Sequence, residues 1–280
     1  MRFPKLGRVT LYILLIFFIF AFLLPLWTCI TTSFKTLKGV IDTTPVEPPL
    51  GPLFRLPYPT MEPLITAFNI MKRSLLNSFT FTVAAMILSC LLGSINGYIL
   101  TKITFKGSNT VFLFFTIGIF IPYQAVLVPL VLTMSKLGLY NHLGGLILTH
   151  TAYGIPITTL LFRNFYGLIP NSLIMAAKTD GAGTWTIYRR IVLPLSLPPF
   201  VVAAVFQFTS IWNDFLFGVV LTRGQNQPAS VVLANLKGTT TVMWNLLMGG
   251  TLWYALPVLV IYLVLGKYLM RGYMAGAVKG

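Results

Sequence analysis

The stretch "MAAKTDGAGTWTIYRRIVLP", residues 175–194, decides how this chain is read. It sets one acid, Asp180, among Lys178, Arg189 and Arg190, carries two glycines, and lies between long apolar segments. Residues 170–178, "PNSLIMAAK", read as a short helix, because proline suits the first turn and Ala176 and Ala177 are strong helix formers. Gly181 and Gly183 break it, since glycine admits φ > 0 and close backbone approach. A second short helix is expected over 184–191, ended by "LPLSLPP". A helix–glycine–helix element with small surface residues fits a groove on another protein. A re-entrant or simply solvated loop is the alternative.

The flanks set the class. The 280-residue chain is 56% hydrophobic and 9% charged, with a mean hydropathy of +0.84. A soluble domain carries about 25% charged residues, so something other than water solvates this one. Apolar runs of the length needed to cross a hydrocarbon core about 30 Å thick fall at roughly 11–34, 75–100, 110–134, 143–165, 199–221 and 248–269. The expectation is an all-α membrane protein with six transmembrane helices and both termini on one side. The N-terminal run follows Arg2, Lys5 and Arg8 without a small-residue cleavage site, and reads as an uncleaved first span.

Basic residues choose the side. With the termini inside, the inner segments hold Arg2, Lys5, Arg8, Lys102, Lys106, Arg163, Lys178, Arg189, Arg190, Lys267, Arg271 and Lys279, twelve of the 20. Five of the other eight fall in one long external loop, 35–74. The positive-inside rule therefore favours cytoplasmic termini in the cell membrane and puts 175–194 in the cytoplasm. The net charge of +15 would suggest nucleic acid on a soluble protein. Here the bases sit at the ends of oily segments, where anionic lipid reads them, and no nucleic-acid motif accompanies them. Loop 35–74 is proline-rich and expected to be extended. Segment 223–247 is polar and long for a connector.

Polar residues within the spans are few. Gln207, Ser210 and Asp214 follow i, i+3, i+7 spacing, beside Trp212 and Asn213. A carboxylate in a span is costly and should face a cavity, the bundle interior or the interface. Asp214 therefore reads either as a pathway residue or as a structural cap near the surface, with Trp212 an interface anchor. Ser89, Gly93 and Asn96 share a face of the second span, and Gly93 with Gly97 forms a seam suited to helix packing. Pro122 and Pro129 interrupt the third span around Tyr123 and Gln124, which are candidates for gate or solute contact. Cys29 and Cys90 lie inside spans and form no disulfide or zinc framework. His142 and His150 are too isolated for a metal site, and no phosphate-binding loop occurs. Catalytic chemistry on this chain is not expected.

The stretch "AAKTDGAGTWTIYRRIVLPLSLPP" resembles the cytoplasmic signature of ABC importer permeases. Ala176, Ala177, Gly181, Ile191, Leu193 and Pro194 match at the family spacing, and Asp180 and Ala182 match the fuller form in sugar permeases. "NSFTFTVAAMILSCLLGSINGYILTK", "PYQAVLVPLVLTMSKLGLYNHLGGLIL", "FTSIWNDFLFGVVLT" and the terminal "LMRGYMAGAVKG" resemble other parts of the smaller permease subunit of maltose-type importers, over nearly the whole chain. The resemblance implies one permease domain, 1–280, of the type I importer fold, with a coupling loop over 167–198. It implies a second permease subunit, two ATPase subunits that hold ATP and Mg, and a solute-binding protein. The binding protein would meet 223–247 at Gln225, Asn226, Gln227 and Asn235.

Within the coupling loop, Leu173, Met175, Ala176, Ala177, Asp180, Gly181 and Ala182 would meet the ATPase. The family commonly has glutamate where Met175 stands, so packing by Leu173, Ala176 and Ala177 should replace an ion pair there. Asp180 either contacts the partner or holds the turn. Asn96, Tyr123, Gln124, Gln207, Ser210, Asn213 and Asp214 are the pathway or gate candidates. In this family the other permease subunit can make many or all of the solute contacts. A sugar is the implied solute, with polyamine, phosphate or oligopeptide as alternatives. A self-sufficient secondary transporter is disfavoured by the scarcity of intramembrane acids.

Overall fold

The computed structural model describes residues 5–44, 60–238 and 242–277, and every regular element among them is a helix. Four helices are long and apolar enough to cross a membrane, or up to six if each of two bent pairs is one span. The all-α membrane fold expected from the sequence is what forms. The proline-rich stretch 45–59, expected to be extended, lies outside the described residues.

The chain divides into two compact units. The first combines Met1–Arg73 with Val232–Leu256. It holds α1 (Lys5–Ser33), whose outer faces are apolar and exposed as a lipid-facing helix requires, and α2 (Leu37–Asp42), capped by Thr36 Oγ1 accepting from Gly39 N at 3.1 Å. Lys35 is buried beside it, donating to Thr43 Oγ1 at 2.7 Å and to the Thr44 carbonyl at 2.9 Å. The first turns of α3 (Glu62–Lys102) pack here on α13 (Trp244–Ala277), where Gly249 meets the Pro63 backbone and Trp253 Nε1 donates to the Leu64 carbonyl at 3.0 Å.

The second unit combines Ser74–Val231 with Pro257–Gly280 and is built on α4 (Ser108–Ile119), α5 (Tyr123–Lys136) and α6 (Leu143–Gly167) around the rest of α3. Glycine lets α3 and α6 touch. A Cβ on Gly93 would land on the Thr158 side chain, and one on Gly97 would sit 2.8 Å from both Arg163 N and Phe162 Cβ. After α6 come α7 (Asn171–Thr179), α8 (Thr184–Ile187), a π-helical turn Tyr188–Val192 and α9 (Leu193–Leu195). Then follow α10 (Leu197–Trp212), α11 (Leu216–Leu221) and α12 (Ala229–Asn235).

Four sequence expectations are corrected. The helix that carries the second span begins at Glu62, so 62–74 is helical and not loop: buried Ala67, Met71, Ser74, Ser78, Phe81 and Ala85 recur at intervals of three and four, one helical face, while exposed Lys72 and Arg73 on the other face mimic a loop. The third span is two helices bent by 97° at Phe120–Pro122, the interruption expected at Pro122, whereas Pro129 lies within α5 and does not interrupt it. The fifth span stops at Trp212 and resumes at Leu216, so Asp214 lies in a break and not on the helical face of Gln207 and Ser210. Trp212 is 1% exposed and stacks on Phe208 at 5.5 Å, a core residue and no interface anchor.

Candidate functional site

The 167–198 loop begins with an anchor. Lys102, at the end of α3, donates to the Ile169 carbonyl at 2.7 Å and to Asn171 Oδ1 at 2.8 Å, which fixes the start of α7. Pro170 takes the N-cap position. Ile174 and Ala177, three residues apart, turn inward onto the core of Tyr98, Phe162, Tyr166 and Ile187. Leu173, Met175 and Ala176 face outward, Met175 being 62% exposed, and Trp185 of α8 adds another exposed apolar side chain. Ala177 therefore seats the helix and is not on its outer surface, a correction to the surface expected for it.

The helix ends in a complete Schellman closure. Ala182 N donates to the Ala177 carbonyl at 2.9 Å, and Gly181 N to the Lys178 carbonyl at 3.0 Å, with Gly181 at φ +80°. Asp180 is exposed, and its backbone N donates to the Ala176 carbonyl at 3.0 Å. Gly183 has an ordinary extended conformation, φ −70° and ψ 161°, so of the two glycines only Gly181 needs its freedom. Ala182, Ile191 and Leu193 are half-buried against the same core, and Pro194 is exposed.

What ties the loop to the spans is a buried hydroxyl cluster that sequence reasoning missed. Ser94 Oγ lies 2.7 Å from the Tyr166 hydroxyl and 2.8 Å from that of Tyr188, and either partner can donate in each pair. Ser196 Oγ donates to the Val192 carbonyl at 2.5 Å and approaches Tyr166 at 3.0 Å. Tyr98 donates to the Thr184 carbonyl at 3.0 Å. Helices α3 and α6 thus hold both ends of the π turn, a helix type that concentrates at functional places.

A second feature is a cleft of about 150 Å³ among α4, α5, α6 and α10. Tyr123, His150, Tyr153, Gln207 and Ser210 line it, with Gly118, Ile119, Gly154, Ile157, Phe206 and Ile211. The Tyr123 and Tyr153 rings meet edge-on at 4.8 Å, and Phe217 backs both at 5.1 and 5.2 Å. Gln207 is buried and donates to the Gly154 carbonyl at 3.0 Å. His150, stacked on Phe81 at 5.7 Å, points Nε2 at Asp214 Oδ2 across 3.6 Å without a hydrogen bond. Asp214 itself accepts from Gly218 N at 3.2 Å and Phe217 N at 3.4 Å, capping α11.

The seven pathway candidates therefore separate. Tyr123, Gln207 and Ser210 meet in this cleft, while Asn96, Gln124, Asn213 and Asp214 do not line it. Asn213 Nδ2 donates back to the Thr209 carbonyl at 2.9 Å. His150 and Tyr153 join the cleft without having stood out in the sequence, because only the fold brings α6 to α5 and α10.

The 223–247 segment is shaped by Asn141, a left-handed residue at φ 58° whose Oδ1 accepts from Arg223 N at 2.7 Å. Asn226 Nδ2 donates to the Asn141 carbonyl at 2.6 Å, so its amide nitrogen is committed inside the chain. The carbonyls of Gln225 and Gln227 accept from Asn77 Nδ2, at 2.8 and 3.4 Å, while the side chains of Gln225 and Asn235 are exposed.

The sequence profile of a family described as "Binding-protein-dependent transport system inner membrane component" matches residues 89–273. A probable ABC transporter permease protein of Pyrococcus horikoshii is 54% identical over 276 residues, 98% of each chain. The xylose/arabinose import permease protein of Haloferax volcanii is 36% identical over 290 residues, 96% of this chain and 92% of that one. Among solved structures, a chain of a bacterial ABC transporter involved in the import of the acidic polysaccharide alginate superposes with a TM-score of 0.77 at 20% identity, over 96% of this chain and 99% of that one, a likeness of fold. The chain belongs to the family of binding-protein-dependent transport system inner membrane components. It is a membrane permease subunit of an ABC importer.

Proposed function

We propose that the imported solute is a sugar and that this chain forms half of the pathway, paired with a second, related permease subunit. Two ATPase subunits hold the ATP and Mg, and a solute-binding protein delivers the sugar from outside. The termini and loop 167–198 face the cytoplasm. There the outward surface of α7 docks in the ATPase, so that ATP-driven closure moves the spans; coupling needs a ligand with different affinity for two states, and nucleotide on the partner supplies it. Leu173, Met175 and Ala176 make this contact by packing, with methionine adapting to an apolar groove.

One observation carries the reading: α7 presents exposed apolar residues on a helix held from behind by Lys102, Ile174 and Ala177 and closed by Gly181. The sugar is supported by the xylose/arabinose permease at 36% identity.

The test is uptake by vesicles holding this chain, the second permease subunit and the ATPases, supplied with the binding protein. Labelled D-glucose, D-xylose and maltose are compared with spermidine and phosphate. ATP-dependent, binding-protein-dependent uptake of a sugar is expected. Uptake of spermidine or phosphate alone would overturn it.

A further inference from the structure

We infer that the cleft among α4, α5, α6 and α10 is a binding subsite for a single sugar ring on this subunit itself, with Tyr123 and Tyr153 as the stacking corner and His150, Gln207 and Ser210 as its polar contacts. This rests on the sugar-importer reading, and adds that this chain touches the solute directly.

A sugar ring has apolar C–H faces and a rim of neutral hydroxyls. A matching site needs aromatic surface, a few neutral hydrogen-bonding groups, and little fixed charge. The cleft has the aromatic surface and the neutral groups, and the Asp214 carboxylate beside His150 is held by the backbone of α11. Two tyrosine rings at 89° form a corner, and Phe217 fixes them from behind. The Gln207 amide nitrogen is committed to the Gly154 carbonyl, which orients the side chain and leaves its carbonyl oxygen to accept from a hydroxyl. Ser210 brings an exposed hydroxyl one helical turn further on.

His150 supplies an unmet hydrogen bond: its Nε2 stands at ion-pair range of Asp214 Oδ2, 3.6 Å away, and has no hydrogen-bond partner among the described residues. Its side chain is 6% exposed and lines the cleft. A buried polar nitrogen in that position is costly to leave unmatched. A solute hydroxyl entering the cleft can match it. Asp214 cannot close the gap freely, since Phe217 N and Gly218 N hold its carboxylate as the cap of α11. The volume of about 150 Å³ is on the scale of one ring, and a longer saccharide would extend beyond the cleft.

The experiment places a cysteine in the site of the assembled complex. Ser210→Cys is made in a background lacking Cys29 and Cys90, and its labelling by a methanethiosulfonate reagent is timed in vesicles with D-glucose, D-xylose, maltose or spermidine. The sugar that the vesicles import should slow labelling about tenfold at ten times its dissociation constant, and spermidine should not. In the same background Gln207→Met should weaken that protection about fivefold through one lost hydrogen bond. Should Gln207→Met fail to insert, Tyr153→Leu carries the same test. Vesicles that import a sugar whose presence leaves labelling unchanged would overturn the subsite and leave the importer reading standing. Vesicles that import only spermidine or phosphate would overturn both.

Discussion

Gly181 and Gly183 stand two residues apart in the coupling loop, and a Cβ on either would meet nothing within 4 Å. A difference between their substitutions can therefore come only from the backbone. Gly181 sits at φ +80°, where an L residue costs about 1–2 kcal/mol and a β-branched one lies at the upper end or beyond. Gly183 sits at φ −70°, ψ 161°, which any residue adopts. Gly181→Val should thus oppose the closure made by Gly181 N and Ala182 N by about 2 kcal/mol, a shift of about 30-fold in the local equilibrium. The assay is ATP hydrolysed per sugar imported by the reconstituted complex. Gly181→Val should insert normally and lose about tenfold or more in transport per ATP. Gly183→Val should stay close to the parent, and Gly181→Asn should recover part of the loss because asparagine tolerates the left-handed region. Equal effects of valine at 181 and 183 would refute the reasoning.

Gly93→Val should force α3 from α6, because its Cβ would overlap Thr158 and lie 2.9 Å from the Thr158 carbonyl carbon; overpacking of this kind costs about 1–3 kcal/mol and is read as a lower melting temperature of the purified chain. Gly118→Ala, whose Cβ would meet only the Pro156 side chain, Cγ at 3.4 Å and Cβ at 3.9 Å, should leave that temperature nearly unchanged. Ser94→Ala removes the hydroxyl shared by Tyr166 and Tyr188 and should cost about 1–3 kcal/mol by the same measurement, since both partners are buried. Asp214→Leu should speed amide exchange at Phe217 and Gly218 by removing a cap of about 1 kcal/mol, whereas Asp214→Asn should keep most of the protection.

What the sequence made legible was local. Pro170, the two alanines and Gly181 act through nearest-neighbour stereochemistry, so α7 and its termination could be read directly, and span lengths follow from apolar runs. The start of α3 was hidden because Lys72 and Arg73 interrupt hydropathy although the buried face continues beneath them. The side of α7 on which Ala177 falls depends on where the core lies, which a nine-residue helix does not disclose. The Ser94–Tyr166–Tyr188 cluster joins residues 72 and 94 positions apart, and the His150 cleft likewise gathers four helices. Hydroxyls and a lone histidine carry no spacing rule, so tertiary packing alone assembles them.

The central claim is that the outward face of α7 seats in an ATPase carried on another chain. Cross-linking from Met175→Cys, in the assembled complex without Cys29 and Cys90, tests it most directly. A short bifunctional maleimide should join position 175 to the ATPase subunit, and ATP should change the yield. The same reagent at Ile174→Cys, which faces the core, should give none. An assembled, ATP-hydrolysing complex in which position 175 never cross-links to the ATPase would contradict the account.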